Sequence, residues 1–209
     1  MKEVVIVCAG ENFSVEKLRR YSAGAEFIIA VDGGLKILNE AGIAPSLIIG
    51  DFDSVDPKLV DMYPDVPKKA FPPDKDFTDS ELAIAETRAL NPDKIYMFAS
   101  TGSYVDHSLA NIFLLKKYEE LNISIITDNS EITLINKGIT INRVKNRRFS
   151  LFPLGKIINI FIKGSRYNYA QSNLDVSDQS VSNVAVEDKL EITFDSGEIL
   201  MVLFDPNYI

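Results

Sequence analysis

The 209-residue sequence has only one cysteine, Cys8, so no intramolecular disulfide can form, and the thiol lies inside the apolar stretch VVIVCAG, where a buried structural role is expected. Such cysteine usage fits a reducing, cytoplasmic setting. There is only one histidine, His107, which excludes a zinc site built from several histidines of one chain. His107 reads as a polar residue in the first turn of a helix. Positive charge is in deficit, with 22 Lys+Arg against 30 Asp+Glu and a formal charge of −8. That balance disfavours nucleic acid and anionic membrane, and a polyanionic substrate would have to arrive with cations. No apolar run approaches membrane-spanning length, and the apolar part of MKEVVIVCAG is too short, with no convincing cleavage site, for a signal peptide. GxxxxGK[ST] and GxGxxG are also missing, so the usual fingerprints of P-loop ATPases and dinucleotide-binding enzymes are absent.

With 46% hydrophobic residues the chain has enough apolar material for a substantial core. EVVIVCA, EFIIAVD, SLIIGD, DKIYMFA and ISIITD are short β-rich runs. Between them SVEKLRRYS, GLKILNEAG and SELAIAETRAL carry helical spacing. DHSLANIFLLKKYEEL is the strongest helix, with Leu109, Ile112, Phe113, Leu115, Tyr118 and Leu121 expected on its apolar face and Asp106 expected to cap it. This alternation predicts a mostly parallel sheet covered by helices, an α/β/α domain of Rossmann-like type.

After about residue 128 the sequence reads as strands only: EITLINKG, ITINRVKN, RRFSLFPLG, KIINIFIKG, KLEITFDSG and EILMVLFD. NKG at 136–138 and DSG at 195–197 read as hairpin turns. The expected organisation is an α/β domain over 1–128 and a smaller antiparallel β-sandwich over 129–209.

Residues 51–80 hold eight aspartates and no glutamate. Asp51 and Asp53 in GDFDS form a DxD pair at the end of an apolar strand, where two short carboxylate arms can hold a hard cation through oxygen. Isolated, the pair is equally explained by turn chemistry. DKDFTDSE at 74–81 adds Asp76 and Asp79 around Thr78, whose spacing to Glu81 fits a capping box. Both stretches fall where loops leave strand ends, which is where open α/β sheets bind ligands. Carboxylates converging there would repel without a divalent cation, and Mg²⁺ suits all-oxygen ligands and phosphate partners. VDGG at 31–34 and TGSYVDH at 101–107 each join a strand to a helix, and Gly33 and Gly34 would let backbone N–H groups approach an anion.

DGG at 32–34, GDFDS at 50–54, DFTD at 76–79 and DHSLANI at 106–112 occur in the order and approximate spacing of the thiamin pyrophosphokinase family, which the chain resembles over nearly its whole length. SLFPLG, GSRYNY, VSN and the final DSGEIL extend the resemblance through the C-terminal half. It implies an α/β catalytic domain, a thiamin-binding β-sandwich domain, and a homodimer with a shared site. The implied reaction is ATP plus thiamin giving AMP plus thiamin diphosphate, with Mg²⁺. On this resemblance Asp51, Asp53 and Asp79 hold the metal, Asp76 and Thr78 order the same loop, and Asp106 orients ligand or backbone. Asp32, Gly33, Gly34, Gly50, Lys75 and Gly102 bind ATP. Ser182 and Asn183 meet the thiamin ring.

The family commonly carries a GGR-type stretch before Asp-His, whereas this chain reads Gly102-Ser103-Tyr104-Val105-Asp106-His107. Tyr104 cannot supply the bidentate phosphate contacts of an arginine, and Lys75 or Lys36 is the candidate replacement. The basic stretch Arg143, Lys145, Arg147 and Arg148 reads instead as a solvated hairpin end. Two other readings stay open at this level. A DxD nucleotide-sugar transferase would also place metal on a nucleotide diphosphate, and a non-catalytic thiamin or nucleotide-binding protein would keep the fold and lose the chemistry.

Overall fold

In the computed structural model, which describes residues 1–51, 55–71, 76–206 and 208, the strands β1 (Glu3–Val7) and β2 (Phe27–Val31) form the middle of a parallel sheet. β3 (Leu47–Gly50) and β4 (Lys68–Ala70) extend it on one side, and β5 (Lys94–Phe98) and β6 (Ile123–Ile126) on the other, in the order β6-β5-β1-β2-β3-β4. Neighbours among these six strands all pair in parallel. Val4, Val5, Ile6 and Val7 are all fully buried, because side chains on both faces of β1 are covered. The short edge strand β4, LysLysAla, is exposed and has no apolar alternation, so the sequence did not announce it; its lysines discourage edge pairing.

Among the described residues, five α-helices lie along the same part of the chain: α1 (Val15–Ser22), α2 (Gly34–Ala41), α3 (Pro57–Asp61), α4 (Asp79–Thr87) and α5 (Val105–Lys117). α1 starts at Ser14, whose hydroxyl accepts from Lys17 N–H at 3.3 Å, and α2 ends at a left-handed Gly42. The unforeseen α3 begins with Asp56 as cap and Pro57 in its first turn.

Thr78 caps α4 by accepting from Glu81 N–H at 3.2 Å, but the box is only half made. The Glu81 carboxylate is buried and turns to Tyr118, whose hydroxyl donates to it at 3.1 Å, and to Lys117. A buried acid takes the strongest donors within reach.

Two expectations for α5 need correction. Leu109 and Phe113 are 50% and 54% exposed, while Asn111, Leu114 and Leu115 are buried. The helix carries a second apolar stripe, Val105, Leu109 and Phe113, and periodicity alone does not say which stripe meets the sheet. Asp106 is not the cap. The helix begins two residues earlier, at Val105 with Tyr104 in the cap position, and Asp106 Oδ1 accepts from His107 N–H at 2.9 Å.

By its contacts the chain divides into two units, Met1–Asp128 and Asn129–Ile209. The second contains β7 (Ser130–Ile135), β8 (Ile139–Asn142), β9 (Arg148–Pro153), β10 (Ile157–Lys163), β11 (Tyr169–Leu174), β12 (Ser180–Val184), β13 (Lys189–Thr193) and β14 (Ile199–Phe204). Within this unit they run as two antiparallel layers, β12-β9-β14-β7 and β11-β10-β13-β8. Phe149, Leu151, Met201, Ile160, Ile162 and Ile192 from the two layers belong to one buried core.

Neither glycine turn is a hairpin. β7 pairs with β14 while β8 pairs with β13, and β13 pairs with β8 and β10 rather than with β14, so NKG and DSG both carry the chain from one layer to the other. Turn residues mark a reversal, and the partner is decided by packing. The basic stretch is also not a free hairpin end: Arg147 Nε donates to Phe204 O at 2.7 Å, and the Arg148 guanidinium lies 3.8 Å from the centre of the Phe204 ring.

Candidate active site

Loops leaving the carboxyl ends of β1, β2 and β5 line a cleft of about 560 Å³. The chain steps outward from β1 through β2, β3 and β4 and then returns to β5 on the other flank, so the cleft lies where the strand order reverses. The walls bring together Cys8, Gly10, Glu11, Asp32, Gly33 and Ser80 with the segment Ala99–Tyr104 and with His107, Ser108 and Asn111. A second cleft of about 460 Å³ shares Asp32, Ser80, His107 and Asn111 and adds Phe77, Thr78, Asp79, Asp106 and Ala110.

The floor is zipped together by backbone. Cys8, Gly10 and Asn12 N–H donate to the carbonyls of Phe98, Ala99 and Thr101 at 2.9, 2.6 and 3.1 Å, continuing the β1–β5 ladder beyond the strands. The segment after β5 is also held by side chains of α5. Asn111 Nδ2 donates to Ser100 O at 2.8 Å, and Gly102 N–H donates to Ser108 Oγ at 3.0 Å. The hydroxyls of Ser100 and Thr101 are buried and have no hydrogen-bond partner among the described residues. Both residues line the first cleft, where a polar ligand would satisfy these hydroxyls.

Cys8 Sγ lies 3.3 Å from Ser80 Oγ. Burial pushes the Cys8 thiol up to about 11, with the charge of Asp32 adding to the rise and the Ser80 hydrogen bond opposing it. It stays a neutral thiol at neutral pH and is no nucleophile.

Of the residues singled out from sequence, Asp32, Gly33 and Gly102 line the first cleft, and Asp32, Thr78, Asp79 and Asp106 line the second. Gly50 borders Asp32 directly: a Cβ built on it would stand 1.8 Å from Asp32 Oδ1. Asp51 follows Gly50 at the end of β3, half-buried and not among the residues lining either cleft. Asp76 is exposed, two residues before the Thr78 cap. Asp53 and Lys75 lie outside the described residues. Gly34 packs tightly, since its Cβ would meet Val7 O at 2.0 Å, and it is not among the residues lining either cleft. Lys36, a candidate for the role of the arginine that the resemblance expects, is solvent-exposed beside Glu40 and is not among the residues lining either cleft. Tyr104, at the arginine position, is 74% exposed at the rim of the first cleft. No lysine or arginine is among the described residues lining either cleft.

Ser182 and Asn183 belong to the second unit and differ from each other. Ser182 is exposed and takes a left-handed φ of 60° at an irregularity of the β12–β9 pairing. Asn183 is 1% exposed, and its amide is fully occupied: Oδ1 accepts from Tyr167 N–H at 3.1 Å, and Nδ2 donates to Tyr167 O at 2.8 Å. The exposed ring of Tyr167 is thereby held on a fixed backbone.

The carboxylates of Asp32, Asp79 and Asp106 around one cleft are an all-oxygen donor set, the chemistry of a hard divalent cation. Among the described residues no three of His, Cys, Asp and Glu close on a single point. Sequence reasoning missed Ser80, Ser100, Glu11, Ser108 and Asn111. Asn111 stood within DHSLANI as a polar residue on a helix, but the partners of Glu11 are 92 residues away and leave no local signal.

A family model described as the thiamin pyrophosphokinase catalytic domain matches residues 18–127, and one described as the thiamin pyrophosphokinase vitamin B1 binding domain matches residues 137–199. The thiamine pyrophosphokinase of Bacillus subtilis (strain 168) is 29% identical over 212 residues, spanning 97% of this chain and 98% of that protein. Thiamine pyrophosphokinase 1 of Oryza sativa subsp. japonica is 25% identical over 170 residues, 74% of this chain and 64% of that protein. The crystal structure of the Bacillus subtilis thiamine pyrophosphokinase superposes with a TM-score of 0.89 at 25% identity, covering 98% of this chain and 100% of that one. The Candida albicans thiamin pyrophosphokinase is similar in fold, with a TM-score of 0.81 at 18% identity, covering 97% and 88%.

Proposed function

We propose, from the premise that the chain belongs to the thiamin pyrophosphokinase family, that it transfers the diphosphoryl group of ATP to the hydroxyl of thiamin and releases AMP. The observation that carries this reading is the meeting of Asp32, Asp79 and Asp106 with the buried hydroxyls of Ser100 and Thr101, which have no partner among the described residues, at the switch point of a parallel sheet. In the reaction the thiamin oxygen bonds to the β-phosphorus while the bond from that phosphorus to the α,β-bridging oxygen breaks, the hydroxyl proton is released, and AMP departs. Little covalent work is asked of the protein. It has to align the hydroxyl, the β-phosphorus and the bridging oxygen, and to offer fixed dipoles where charge grows.

In this reading Ser100 and Thr101 offer hydroxyls to phosphate oxygens, with Gly33 at the start of α2 and Gly102 shaping the wall. Mg²⁺ is the proposed cation, and Asp51, Asp53 and Asp79 the proposed ligands, with Asp32 and Asp106 beside Asp79. Bound there, the ion would offset the charge that carboxylates and triphosphate otherwise oppose. Asp76 and Thr78 serve by ordering the loop into α4. Residues 1–128 act as the catalytic, nucleotide-binding part and 129–209 as the thiamin-binding part. There Ser182 presents its hydroxyl, and Asn183 works through Tyr167. A homodimer with a shared site, in the cytoplasm, completes the proposal; among the described residues no helix is long and apolar enough to cross a membrane.

The test is to incubate the protein with thiamin, ATP and Mg²⁺ and to quantify AMP and thiamin diphosphate, with Asp53→Asn and Asp79→Asn alongside. Equal amounts of both products, lost in the variants and on chelation, would support the reading. Thiamin binding without AMP would sink it.

A further inference from the structure

The first cleft has an acid at its rim that the reaction does not use. Glu11, in the loop after β1, accepts two hydrogen bonds from Ser103, from its N–H to Oε2 and from its hydroxyl to Oε1, both at 3.1 Å. The carboxylate thus spans the donor pair of one residue and joins the β1 loop to the β5–α5 loop. Backbone bonds at Cys8, Gly10 and Asn12 carry the zipper as far as Thr101, and Ser108 reaches back from α5 to Gly102. Ser103 comes next, immediately before the turn into Val105 and the cleft-lining Asp106 and His107.

We infer that Glu11 is a positioning residue for nucleotide binding, clasping Ser103 so that the segment Ser100–Tyr104 keeps the shape in which its hydroxyls and the first turn of α5 face the cleft. Three observations support this role. The described lining contains no lysine or arginine, and the direct partners it offers a phosphate are loop N–H groups and hydroxyls, whose value depends on being held in place. Gly10 and Gly102 bring the two loops so close that a Cβ on Gly10 would lie 2.4 Å from Thr101 O, and one on Gly102 would lie 3.0 Å from Glu11 N. The clasp therefore closes a gap already narrow. Finally, both Ser103 donors go to one charged acceptor, a stronger arrangement than either neutral bond alone.

The inference rests on ATP being the ligand of this cleft. A loop that binds ground state and transition state alike changes KM and leaves kcat alone, so Glu11→Ala is expected to raise KM for ATP roughly tenfold with kcat nearly unchanged. Glu11→Gln, which keeps an acceptor for N–H and a donor for the hydroxyl, should restore most of the affinity. Ser103→Ala should fall between, and adding it to Glu11→Ala should cost little more.

The experiment combines these kinetics with calorimetric ATP–Mg²⁺ binding and with amide exchange at Gly102–Tyr104 in ligand-free protein. Faster exchange in Glu11→Ala together with the KM rise and rescue by Glu11→Gln would support the clasp. Unchanged exchange, or faster exchange with unchanged ATP affinity, would overturn it, as would a fall in kcat at constant KM. If the unaltered protein binds ATP but releases no AMP, the reaction reading falls and the dissociation constants still decide the clasp. If it binds no ATP, both fall.

Discussion

Gly50 stands so close to Asp32 that a methyl group added to it would lie 1.8 Å from Oδ1, while the nearest Asp32 backbone atom, Cα, would be 3.4 Å away. The close contact is with the end of a side chain. Gly50→Ala should therefore displace the Asp32 carboxylate, with catalytic efficiency falling about 10²-fold, and because Gly50 holds φ at +159° the added side chain should also strain the backbone and lower the melting temperature. Gly34→Ala is the opposite case, because the obstacle is Val7 O at 2.0 Å, part of central strand β1. It is expected to destabilise the protein by about 3 kcal/mol, read from urea unfolding.

Asp79 and Asp106 share a cleft with Asp32 but sit at the beginnings of different helices. Asp79→Asn should lower kcat by ~100-fold and raise the Mg²⁺ concentration needed for half-maximal rate. Asp106→Asn keeps an acceptor for His107 N–H, so its loss should be smaller and its Mg²⁺ dependence unchanged. Steady-state rates over a magnesium titration distinguish the two, and chelation should abolish AMP formation in the unaltered protein.

For Cys8 the folded thiol titrates near 11, against 9.0 for a free one, chiefly through burial. Between these values the unfolded chain has lost its proton and the folded chain has kept it, so stability is fully present below pH 9 and is lost as pH rises toward 11. The full alkaline loss amounts to about 2–3 kcal/mol. Urea unfolding at pH 8 and pH 10.5, with Cys8→Ala as reference, should show a steeper alkaline loss in the unaltered protein. The thiol should also resist alkylation at pH 8 until denaturant is added.

The Asn183 amide donates to and accepts from the backbone of Tyr167 while itself almost wholly buried. Asn183→Ala leaves both backbone groups without that partner and should cost about 1–3 kcal/mol in unfolding free energy. Because the Tyr167 loop loosens, KM for thiamin should rise while KM for ATP is unaffected. Ser182→Ala should raise KM for thiamin with no comparable loss of stability.

The strands of the parallel sheet other than β4 were readable because each is a short apolar run, buried on both faces in the case of Val4–Val7. Where the sequence misled, two physically adequate partners competed. α5 presents Val105, Leu109 and Phe113 on one side and Leu114, Leu115 and Tyr118 on another, and only the sheet decides between them. NKG and DSG mark real reversals, but a turn does not carry the identity of the layer that the next strand joins. β11 escaped notice because YAQSNL has little apolar content, and β12 because SVSNV sets only two valines apart among polar residues. In the site, aspartates near strand ends were visible as a local excess. Glu11 and Ser103 were invisible, since neither has a local reason to be where it is, and only the β1–β5 pairing brings them together.

That pairing also orders events in time. β1 meets β2 through Val4 and Phe27, close neighbours along the chain, but meets β5 only when Lys94–Phe98 has been made and has travelled back past β2, β3 and β4. Until then one flank of β1 keeps its row of peptide groups open to water, and the N–H groups of Cys8, Gly10 and Asn12 have nothing to grip. The floor of the cleft is thus assembled by the longest-range pairing within the parallel sheet, the kind that chain entropy makes slow. A chain lacking residues from 94 onward would be without the partner that β1 pairs with on this flank, leaving an edge open to aggregation and no binding floor.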